Sequence, residues 1–590
     1  MKQALAARQV RWIPGKGTPG PTAVAAAAEG LAGLSMPELH GRIDPDVVRE
    51  ILRGERFTLS ADPAVLKLHE ARLRGRSFAS IAPAGAGCDI RQVWEPARLQ
   101  HVTLLVAAVR NGCGESRDIA RFARESAGDS VMRWIDRNPF PKGPHHASAM
   151  ECGLRVPVFF YCLKELAGRD AADREILLES IHRHAWWISR RLSLHSSLGN
   201  HTIAEGVGLI FAGAVFRESR AGRQWLKTGC ALLEEELPHQ VLADGGPAEQ
   251  AFAYHRFVLD LYWLAVDFLE RNRLRDCSGW KPLLRRGEAF LAAFGDEVPA
   301  IGDADGGFAV APGLAPGREA APAAGECPIR FEDAGYTVAR TDDGLSLTFD
   351  HGPLGMAPLF NHGHADALSV TVSRNGAPIM IDPGTYRYNG APEFRRYFKG
   401  TRAHNTVLVD GQDQAVQETG FLWSRPYSAQ VTRFERFGNG FLVEAEHDGY
   451  ARLAEPVTHM RTIRFVRDAG FVLQDRFEGS GTHDFEINFH LHPDAEVEHT
   501  DRGWRFDRDG EELWIESLGG SGLLLSHGGR ANPPLGWYSP SYGIKRPACV
   551  LQESRRGAPG DVVFTTLVFA GSTASRSELE ETACRLSPVV

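Results

Sequence analysis

The sequence predicts a multidomain α+β protein in which an incomplete α/α toroid is followed by an antiparallel β-sandwich. Two observations carry this prediction. From about 92 to 300, apolar residues recur at three- and four-residue spacing, as in amphipathic helices. From about 328 onward, apolar and polar residues alternate at period two, and tight-turn dipeptides separate the alternating segments.

Four regions are predicted along the chain. The N-terminal extension is expected to be mixed or irregular, because the stretch from Pro14 to Pro37 is rich in Gly, Pro and Ala. Short strands or turns are expected within Phe57–Cys88. The predicted bounds are 1–90 for the extension, 91–310 for the toroid, 311–327 for a Pro-, Ala- and Gly-rich linker and 328–590 for the sandwich.

The helical region contains eight or more helices with short breaks and no convincing strand, which is typical of stacked antiparallel helix pairs. No repeat of fixed period is visible, so a regular repeat array is disfavoured. The predicted helices lie near 94–110, 117–136, 147–167, 172–193, 202–217, 222–237, 249–271 and 280–295.

The C-terminal region shows strand signals joined by tight turns. Alternation is clear at 345–349, 367–372 and 485–491. Hairpin-type dipeptides, in which both residues readily adopt positive φ, favour antiparallel pairing without intervening helices. They occur at Asn375-Gly376, Asp410-Gly411 and Asp509-Gly510.

Composition excludes several classes of protein. With 590 residues, 43% hydrophobic and 24% charged, the chain resembles neither a disordered nor a collagen-like protein. No apolar run is long enough for a membrane-spanning helix. The net charge of −8 does not favour a nucleic-acid partner. Oligomeric state, monomer or dimer, stays open.

The cysteines and the N-terminal residues give information about the cellular compartment of the protein. Nine scattered cysteines without a CxxC pair indicate neither a disulfide framework nor a cysteine zinc site. The segment 1–17 has basic residues but no apolar region followed by a cleavage site. We therefore expect a cytoplasmic protein, or a periplasmic or secreted one whose leader is missing from this sequence.

Two polar clusters interrupt the helical region. Gly199 and Asn200 predict a helix start with Asn200 near the N-cap, and His201 and Glu205 then share one face. A capped helix with a surface ion pair is the alternative.

The second cluster is 244–255. A turn at 244–246 is predicted to feed a helix with Pro247 in its first turn, so that Gln250 and Tyr254 share a face. Alternatively, Tyr254 is a buried tyrosine whose hydroxyl is satisfied.

Metal-ligand chemistry is concentrated in the sandwich. In AsnHisGlyHisAlaAsp (361–366), a strand would place His362 and His364 on the same side, so one histidine could bind a metal while the other faces a cleft. Asp382 ends an apolar strand, and His404 opens another. Two histidines and one carboxylate could bind zinc and leave a fourth position for water.

Five motifs, in this order, resemble the heparinase II/III family of polysaccharide lyases. Related alginate lyases share the architecture. The resemblance runs from about residue 89 to the end of the chain and is not specific for substrate. The motifs are 199–201, 244–255, 361–366, 381–388 and 395–407.

This resemblance implies β-elimination on a polysaccharide that contains uronic acid. It implies Tyr254 as the catalytic tyrosine, His362 as the active-site histidine and Tyr388 as a second tyrosine. Asn200, with His201 beside it, would neutralise the uronate carboxylate, and Glu205 would be a further cleft residue. A single structural zinc, with no organic cofactor, would be held by His364, Asp382 and His404.

Elimination on a uronate requires residues that neutralise its carboxylate and residues that transfer protons. Removal of the C5 proton requires that the uronate carboxylate be neutralised, which an amide and a histidine can do by donating hydrogen bonds. Tyr254 could then act as base and acid, with His362 as the alternative base, depending on the stereochemistry of the uronate.

Local basic residues would bind the acidic polymer despite the net negative charge. The cluster at 395–402 is the main candidate, and a solvated basic loop is the alternative. The predicted substrate-binding residues are Glu205, Gln250, Arg98, Arg396 and Lys399.

Two other functions stay open. A glycoside hydrolase would need two facing carboxylates, for which Asp244 and Glu249 are the candidates in this region. A non-catalytic exopolysaccharide-binding protein would bind polymer without shortening it. The polymer itself is also open among heparan sulfate, other glycosaminoglycans, alginate and bacterial exopolysaccharides.

Overall fold

The computed structural model describes residues 17–53, 89–111, 117–165, 171–195, 197–321, 325–501, 503–520, 522–529 and 533–586. The predicted strands or turns within Phe57–Cys88 lie outside this range. The chain divides into two compact units. The first comprises Met1–Gln240, Arg256–Leu284 and Gly306–Ala320, and the second comprises Val241–His255, Arg285–Asp305 and Ala321–Val590.

The first unit begins with a helix where the sequence predicts irregular structure. Helix α1 (Pro21–Ala32) has proline in its first turn and buries Val24, Ala27 and Leu31. The prediction for 14–37 was wrong here because an alanine-rich run forms a helix once a proline starts it. Strand β1 (Leu39–His40) pairs with β2 (Ala315–Pro316), and helix α2 (Pro45–Leu52) follows β1 in the chain.

The helical region closely follows the apolar periodicity. One predicted helix, 94–110, is two helices because Leu99 has a positive φ of 60°. The helices are α3 (Ile90–Ala97), α4 (Gln100–Asn111), α5 (Arg117–Arg137), α6 (Ala149–Glu165), α7 (Ala171–Ile188), α8 (Asn200–Val215), α9 (Arg220–Gln240), α10 (Phe252–Arg271) and α11 (Lys281–Ala292).

Helix α8 lies at the centre of this helical packing. It contacts α6, α7 and α9, and almost every residue along it is buried. Close approach depends on glycine, since a Cβ at Gly208 would lie 2.7 Å from the Cα of Gly153 in α6. None of the described helices combines the length and the apolarity that crossing a membrane requires.

The second unit contains three main antiparallel sheets. The five-stranded sheet runs in chain order through β3 (Ile329–Phe331), β4 (Tyr336–Arg340), β5 (Leu345–Asp350), β6 (Val370–Arg374) and β7 (Ala377–Met380). The turn between β6 and β7 is the predicted Asn375-Gly376, with φ of 48° and 87°. The strand predicted at 367–372 begins only at Val370, because Leu368 has a positive φ of 61°.

The other two sheets carry the rest of the unit. The eight-stranded sheet has the order β11 (Ala429–Phe437), β12 (Gly440–His447), β13 (Val457–Val466), β14 (Gly470–Gly479), β23 (Val563–Phe569), β18 (Glu511–Ser517), β17 (Gly503–Arg508) and β16 (Glu496–Thr500). The four-stranded sheet has the order β19 (Leu524–His527), β22 (Cys549–Gly557), β15 (His483–His490) and β8 (Val407–Val409).

Short elements complete the unit. Two hairpins, β9 (Val416–Thr419) with β10 (Leu422–Ser424) and β20 (Trp537–Ser541) with β21 (Ile544–Pro547), stand outside the large sheets. Helix α12 (Pro392–Lys399) precedes β8, and helix α13 (Thr573–Leu586) packs on β14 and β23.

All three sheets contribute to one apolar core. Leu347 from the five-stranded sheet, Leu473 from the eight-stranded sheet and Phe489 from the four-stranded sheet belong to the same buried cluster. The predicted fold class, a helical region of the toroid type followed by an antiparallel β-sandwich, is confirmed.

Candidate active site and metal centre

Three residues predicted from separate motifs meet in the second unit. Tyr254, near the start of α10, places its hydroxyl oxygen 2.8 Å from that of Tyr388. The Tyr254 ring stacks on the His362 imidazole, with centroids 4.1 Å apart and an interplanar angle of 30°. A histidine and two phenols therefore form one group, in which Tyr254 and His362 are almost fully buried.

The local structure differs from the predicted helix start. Gln250 has a positive φ of 51°, and α10 begins only at Phe252. Pro247 bridges to Val241 instead of opening the helix. The prediction that Gln250 and Tyr254 share a helical face was therefore wrong. Tyr254 still reaches the group because it lies in the first turn of α10.

The two phenols share one hydrogen bond, in which either hydroxyl can donate. Its burial, together with the nearby Asp303 carboxylate, raises the pKa of Tyr388 well above its usual value. The backbone N–H of Tyr388 donates to the Tyr542 hydroxyl over 2.8 Å. A Tyr388 that keeps its proton can donate it in a hydrogen bond to an ionised Tyr254.

Asp303 is the residue that the sequence analysis missed. Its Oδ2 lies 3.1 Å from His362 Nδ1 and its Oδ1 lies 3.2 Å from His364 Nε2. Arg395 donates to both carboxylate oxygens, with Nη2 at 2.7 Å from Oδ2. Burial alone would raise the pKa of Asp303, but the Arg395 guanidinium and the two histidines hold it well below its usual value.

An ionised Asp303 fixes the proton positions of both histidines. An ionised carboxylate only accepts hydrogen bonds, so the ring nitrogen that faces it must carry the hydrogen. His362 is therefore protonated at Nδ1 and carries its lone pair on Nε2. By the same reasoning His364 is protonated at Nε2 and carries its lone pair on Nδ1. No sequence signal besides the polar segment 303–305 in a glycine-rich loop could have pointed to Asp303.

The predicted metal-ligand residues lie together next to this group. One ligand atom from each of His364, Asp382 and His404 lies within 4.8 Å of the others, and all three residues are buried. The two imidazole rings have centroids 5.2 Å apart. These three side chains could hold a metal ion.

The protonation states suit metal binding. Burial lowers the pKa of His364 to about 4, so its ring is neutral at neutral pH. Among the described residues, His364 Nδ1 has no hydrogen-bond partner although it is buried. His404 Nδ1 lies 2.9 Å from Asp382 Oδ2. Burial alone would lower the pKa of His404, but the Asp382 carboxylate raises it.

The backbone around these ligands is less regular than predicted. Residues 361–366 form a loop and not a strand, so the two histidines are oriented by Asp303 and not by strand alternation. His404 follows a short 3-10 turn (Thr401–Ala403), and strand β8 begins three residues later.

Four of the predicted substrate-binding residues are buried and already engaged by the protein. Gln250 donates to the Ala334 carbonyl and accepts from the Tyr336 hydroxyl. Lys399 donates to two backbone carbonyls, and its burial lowers its pKa well below the usual value. Both side chains are buried, as are those of Tyr254 and His362, and the substrate-binding roles of Gln250 and Lys399 stay predictions.

The remaining two engaged residues lie in the first unit. Arg98 forms two hydrogen bonds with the buried Glu151 carboxylate. Glu205 accepts from the N–H and hydroxyl of Ser193, and burial raises its pKa to about 7. Both side chains are buried, and their substrate-binding roles stay predictions. The alternative of a surface ion pair between His201 and Glu205 is wrong, because Glu205 is fully buried.

The basic cluster at 395–402 is not a loop. It occupies helix α12 and the turn after it, with Arg395 and Lys399 buried and Arg396 exposed. Arg402 pairs with Glu486 at 3.1 Å. Arg396 remains the exposed cation of the cluster that a polymer could reach.

Asn200 and His201 belong to the first unit. Asn200, predicted near the N-cap, is the first residue of α8 and is buried; the N-cap itself is Gly199, with φ of 116°. His201 is partly exposed. The active-site roles of Asn200 and His201 stay predictions.

The structure does not favour the carboxylate pair that a hydrolase would need. Both oxygens of Asp244 accept backbone N–H groups, from Gly246 and from 333–334. Glu249 is buried. The Asp244 carboxylate therefore stabilises a turn.

Two models of one protein family match this chain. The family model "Heparinase II/III N-terminus" matches residues 120–279, and the model "Heparinase II/III-like, C-terminal" matches residues 323–581. Together they match more than half of the chain.

Curated relatives include two proteins named heparin-sulfate lyase. The one from Pedobacter heparinus is 23% identical over 66% of this chain and 60% of its own length. The one from Bacteroides stercoris is 24% identical over 62% of this chain and 55% of its own length. The chain thus spans 60% or less of the length of either relative.

Solved structures show the same fold. A crystal structure of heparinase III superposes with a TM-score of 0.68 at 17% identity and covers 93% of this chain and 90% of that one. A chondroitin AC lyase mutant from Streptomyces coelicolor superposes with a TM-score of 0.53 at 12% identity, covering 95% and 84%.

Proposed function

The chain belongs to the heparinase II/III family, and from this premise we propose that it is a polysaccharide lyase that cleaves a heparan sulfate-like glycosaminoglycan by β-elimination. The observation that carries the proposal is the buried group in which the Tyr254 hydroxyl meets that of Tyr388 while its ring stacks on His362. The names of the curated relatives support the substrate class.

In the proposed reaction, the C5 proton of the uronate is removed and the bond to the oxygen at C4 breaks, leaving a C4–C5 double bond. Tyr254 protonates the leaving oxygen. The base is Tyr254 when the proton and the leaving oxygen lie on the same face of the sugar, and His362 when they lie on opposite faces. Because the two rings stack, one bound uronate meets both groups.

Asp303 and Arg395 serve this reaction as positioning residues. The Asp303 carboxylate holds the proton of His362 on Nδ1, which leaves Nε2 as the nitrogen able to accept a proton. Arg395 keeps Asp303 ionised. Tyr388 donates its hydroxyl proton to Tyr254 and stabilises the phenolate form that a base requires.

We further propose that the metal centre takes a structural zinc ion. Two imidazoles and one carboxylate are ligands that zinc prefers, and a metal-bound histidine typically donates its other ring N–H to a carboxylate, as His364 Nε2 does to Asp303. Bound zinc would cross-link the segments that carry His364, Asp382 and His404. No step of the elimination needs to pass through it.

For Asn200 and His201 the family resemblance supports a role in neutralising the uronate carboxylate. An amide N–H and an imidazole N–H can both donate to the charge that develops as C5 loses its proton. Asn200→Ala is therefore expected to lower kcat.

The test is an absorbance assay on a panel of heparan sulfate, chondroitin sulfate, hyaluronan and alginate, since only elimination creates an ultraviolet-absorbing unsaturated uronate. Activity on heparan sulfate is expected, and Tyr254→Phe should lower it by about 10²- to 10⁴-fold. Tyr262→Phe is the matched control. Tyr262 lies in α10 like Tyr254, and its buried hydroxyl donates to the Leu233 carbonyl.

The outcomes separate the competing functions. New reducing ends without absorbance would indicate a hydrolase, and polymer binding without any cleavage would indicate a binding protein. Full activity of Tyr254→Phe would overturn the assignment of the catalytic group.

A further inference from the structure

An aromatic side chain is held at the protein surface against one of the two phenols. Phe421 lies at the tip of the hairpin formed by β9 and β10, and 37% of it is exposed. Its ring packs edge-on against the Tyr388 ring, with centroids 5.1 Å apart at 69°. An exposed aromatic residue therefore adjoins the proposed reaction group directly.

The tip of this hairpin is fixed by two buried cations. The carbonyl oxygen of Gly420 accepts from Arg395 Nε at 2.9 Å and from Lys399 Nζ at 3.3 Å. Lys399 also donates to the Asn361 carbonyl at 3.3 Å, next to His362. Hydrogen bonds from two buried side chains to one carbonyl are directional, so the tip is held in register with the His362 loop.

The returning strand adds a second anchor. Trp423 is buried, donates its indole N–H to the Gly363 carbonyl over 3.0 Å, and receives the Lys399 ammonium 4.8 Å from its ring centre. Its backbone N–H donates to the Leu359 carbonyl over 3.1 Å. Trp423 is thus bound to the backbone just before His362, at Leu359, and just after it, at Gly363.

One side of the Phe421 ring is already occupied. The Arg395 guanidinium, itself 3% exposed, lies 5.2 Å from the Phe421 ring centre and 4.8 Å from that of Tyr388. Arg395 and Tyr388 each cover part of the Phe421 side chain, and 37% of it stays exposed. A flat apolar surface is thereby presented to solvent at a fixed distance from Tyr388.

We propose that Phe421 is a sugar-stacking platform that binds the pyranose ring next to the uronate undergoing elimination. This inference rests on the proposed function. The C–H face of a pyranose is apolar, and a rigid aromatic ring buries it with little loss of conformational entropy. The acidic groups of the same polymer remain at the sugar edges, where solvent or exposed cations such as Arg396 neutralise them.

The experiment compares three variants of the full chain. Phe421→Leu keeps apolar volume but removes the flat face, and Phe421→Trp keeps a flat face. Phe437→Leu is the control, because Phe437 is 42% exposed, lies at the end of β11 and also contacts a guanidinium, that of Arg464. Each protein is titrated with heparan sulfate oligosaccharides, and kcat and KM are measured separately.

Phe421→Leu is expected to weaken binding and raise KM by about 2- to 10-fold with little change in kcat. Phe421→Trp and Phe437→Leu should stay within about twofold of the wild-type protein. Because Phe421 is exposed, thermal unfolding should be nearly unchanged in all three.

Unchanged binding by Phe421→Leu would overturn the proposal, and so would a loss confined to kcat, which would make Phe421 a residue that positions Tyr388. A wild-type protein that binds heparan sulfate without cleaving it would overturn the lyase function while leaving the platform supported if Phe421→Leu weakens binding. A wild-type protein that neither binds nor cleaves would overturn both.

Discussion

Tyr388→Phe tests the link between the phenol pair and the chemistry. The substitution removes one hydroxyl, the one that lies 2.8 Å from the hydroxyl of Tyr254. The ring itself is retained with its contacts to Tyr542 and Phe421, at 5.2 and 5.1 Å. Because the Tyr388 hydroxyl can donate to an ionised Tyr254, its loss should act on the proton affinity of Tyr254 and not on the fold.

The magnitude follows from the hydrogen bond. A hydrogen bond to a charged group contributes about 1.5–3 kcal/mol, and one pKa unit corresponds to about 1.4 kcal/mol. Loss of the donor should therefore raise the pKa of the Tyr254 phenol. A base with a higher pKa is deprotonated in a smaller fraction of molecules, so kcat/KM near neutral pH should fall by about 10- to 100-fold.

The assay is a pH profile of unsaturated-uronate formation on heparan sulfate for the wild-type protein and Tyr388→Phe. The acid limb of the profile should move to higher pH in the variant, and activity should recover partly in alkaline buffer. An equal loss at every pH, or an acid limb that moves to lower pH, would refute the idea that Tyr388 lowers the pKa of Tyr254.

Three further predictions concern stability. Asp303→Asn leaves the buried Arg395 without a carboxylate and should cost about 3–5 kcal/mol in the free energy of unfolding, measured with urea; a cost under about 1 kcal/mol would contradict the pair's role. A chelator should lower the melting temperature, and His404→Ala should bind no zinc by elemental analysis; a wild-type protein without stoichiometric zinc speaks against the site. Glu205 has a pKa of about 7 in the folded state, above its unfolded value, so the folded state holds its proton more tightly. Its contribution to stability should therefore fall by about 3 kcal/mol as pH rises from about 4.5 to 7, and Glu205→Gln should remove that slope; an unchanged slope would show that Glu205 is already ionised.

The elements that the sequence predicted well are those with a strong local pattern. The helices after residue 100 follow apolar periodicity, and α5, predicted at 117–136, spans Arg117–Arg137. The Asn375-Gly376 turn has the positive φ values that this dipeptide tolerates. Both signals are local, so they survive in the folded chain.

The errors arise where tertiary contacts decide. Lys399 and Arg395 resemble solvated basic residues in sequence, because burial of such groups is rare without partners. Their partners, backbone carbonyls for Lys399 and Asp303 for Arg395, are separated from them by many residues and leave no local signal. Asp303 itself lies in a glycine-rich segment that is indistinguishable from an ordinary turn.

The HisGlyHis spacing gains a physical reason from Asp303. One carboxylate meets Nδ1 of His362 with one oxygen and Nε2 of His364 with the other, so it gives the two rings opposite tautomers. His362 is left to accept a proton at Nε2, and His364 is left to bind a metal at Nδ1. The residue between them must be glycine, since a Cβ at Gly363 would collide with the carbonyl oxygen of Leu354.

The same arrangement predicts how the two sites respond to one change. Gly363→Ala would push the segment away from Leu354, and both histidines would then lose their fit to Asp303. Zinc content and lyase activity should therefore fall together in this variant, each by about tenfold or more, because a hydrogen bond that orients a metal-binding histidine typically contributes that much to a metal site. Gly438→Ala, at an exposed turn where a Cβ meets nothing within 4 Å and φ is not positive, is a control for general loss of glycine. Loss of activity with full zinc content in Gly363→Ala would show that Asp303 does not couple the two histidines.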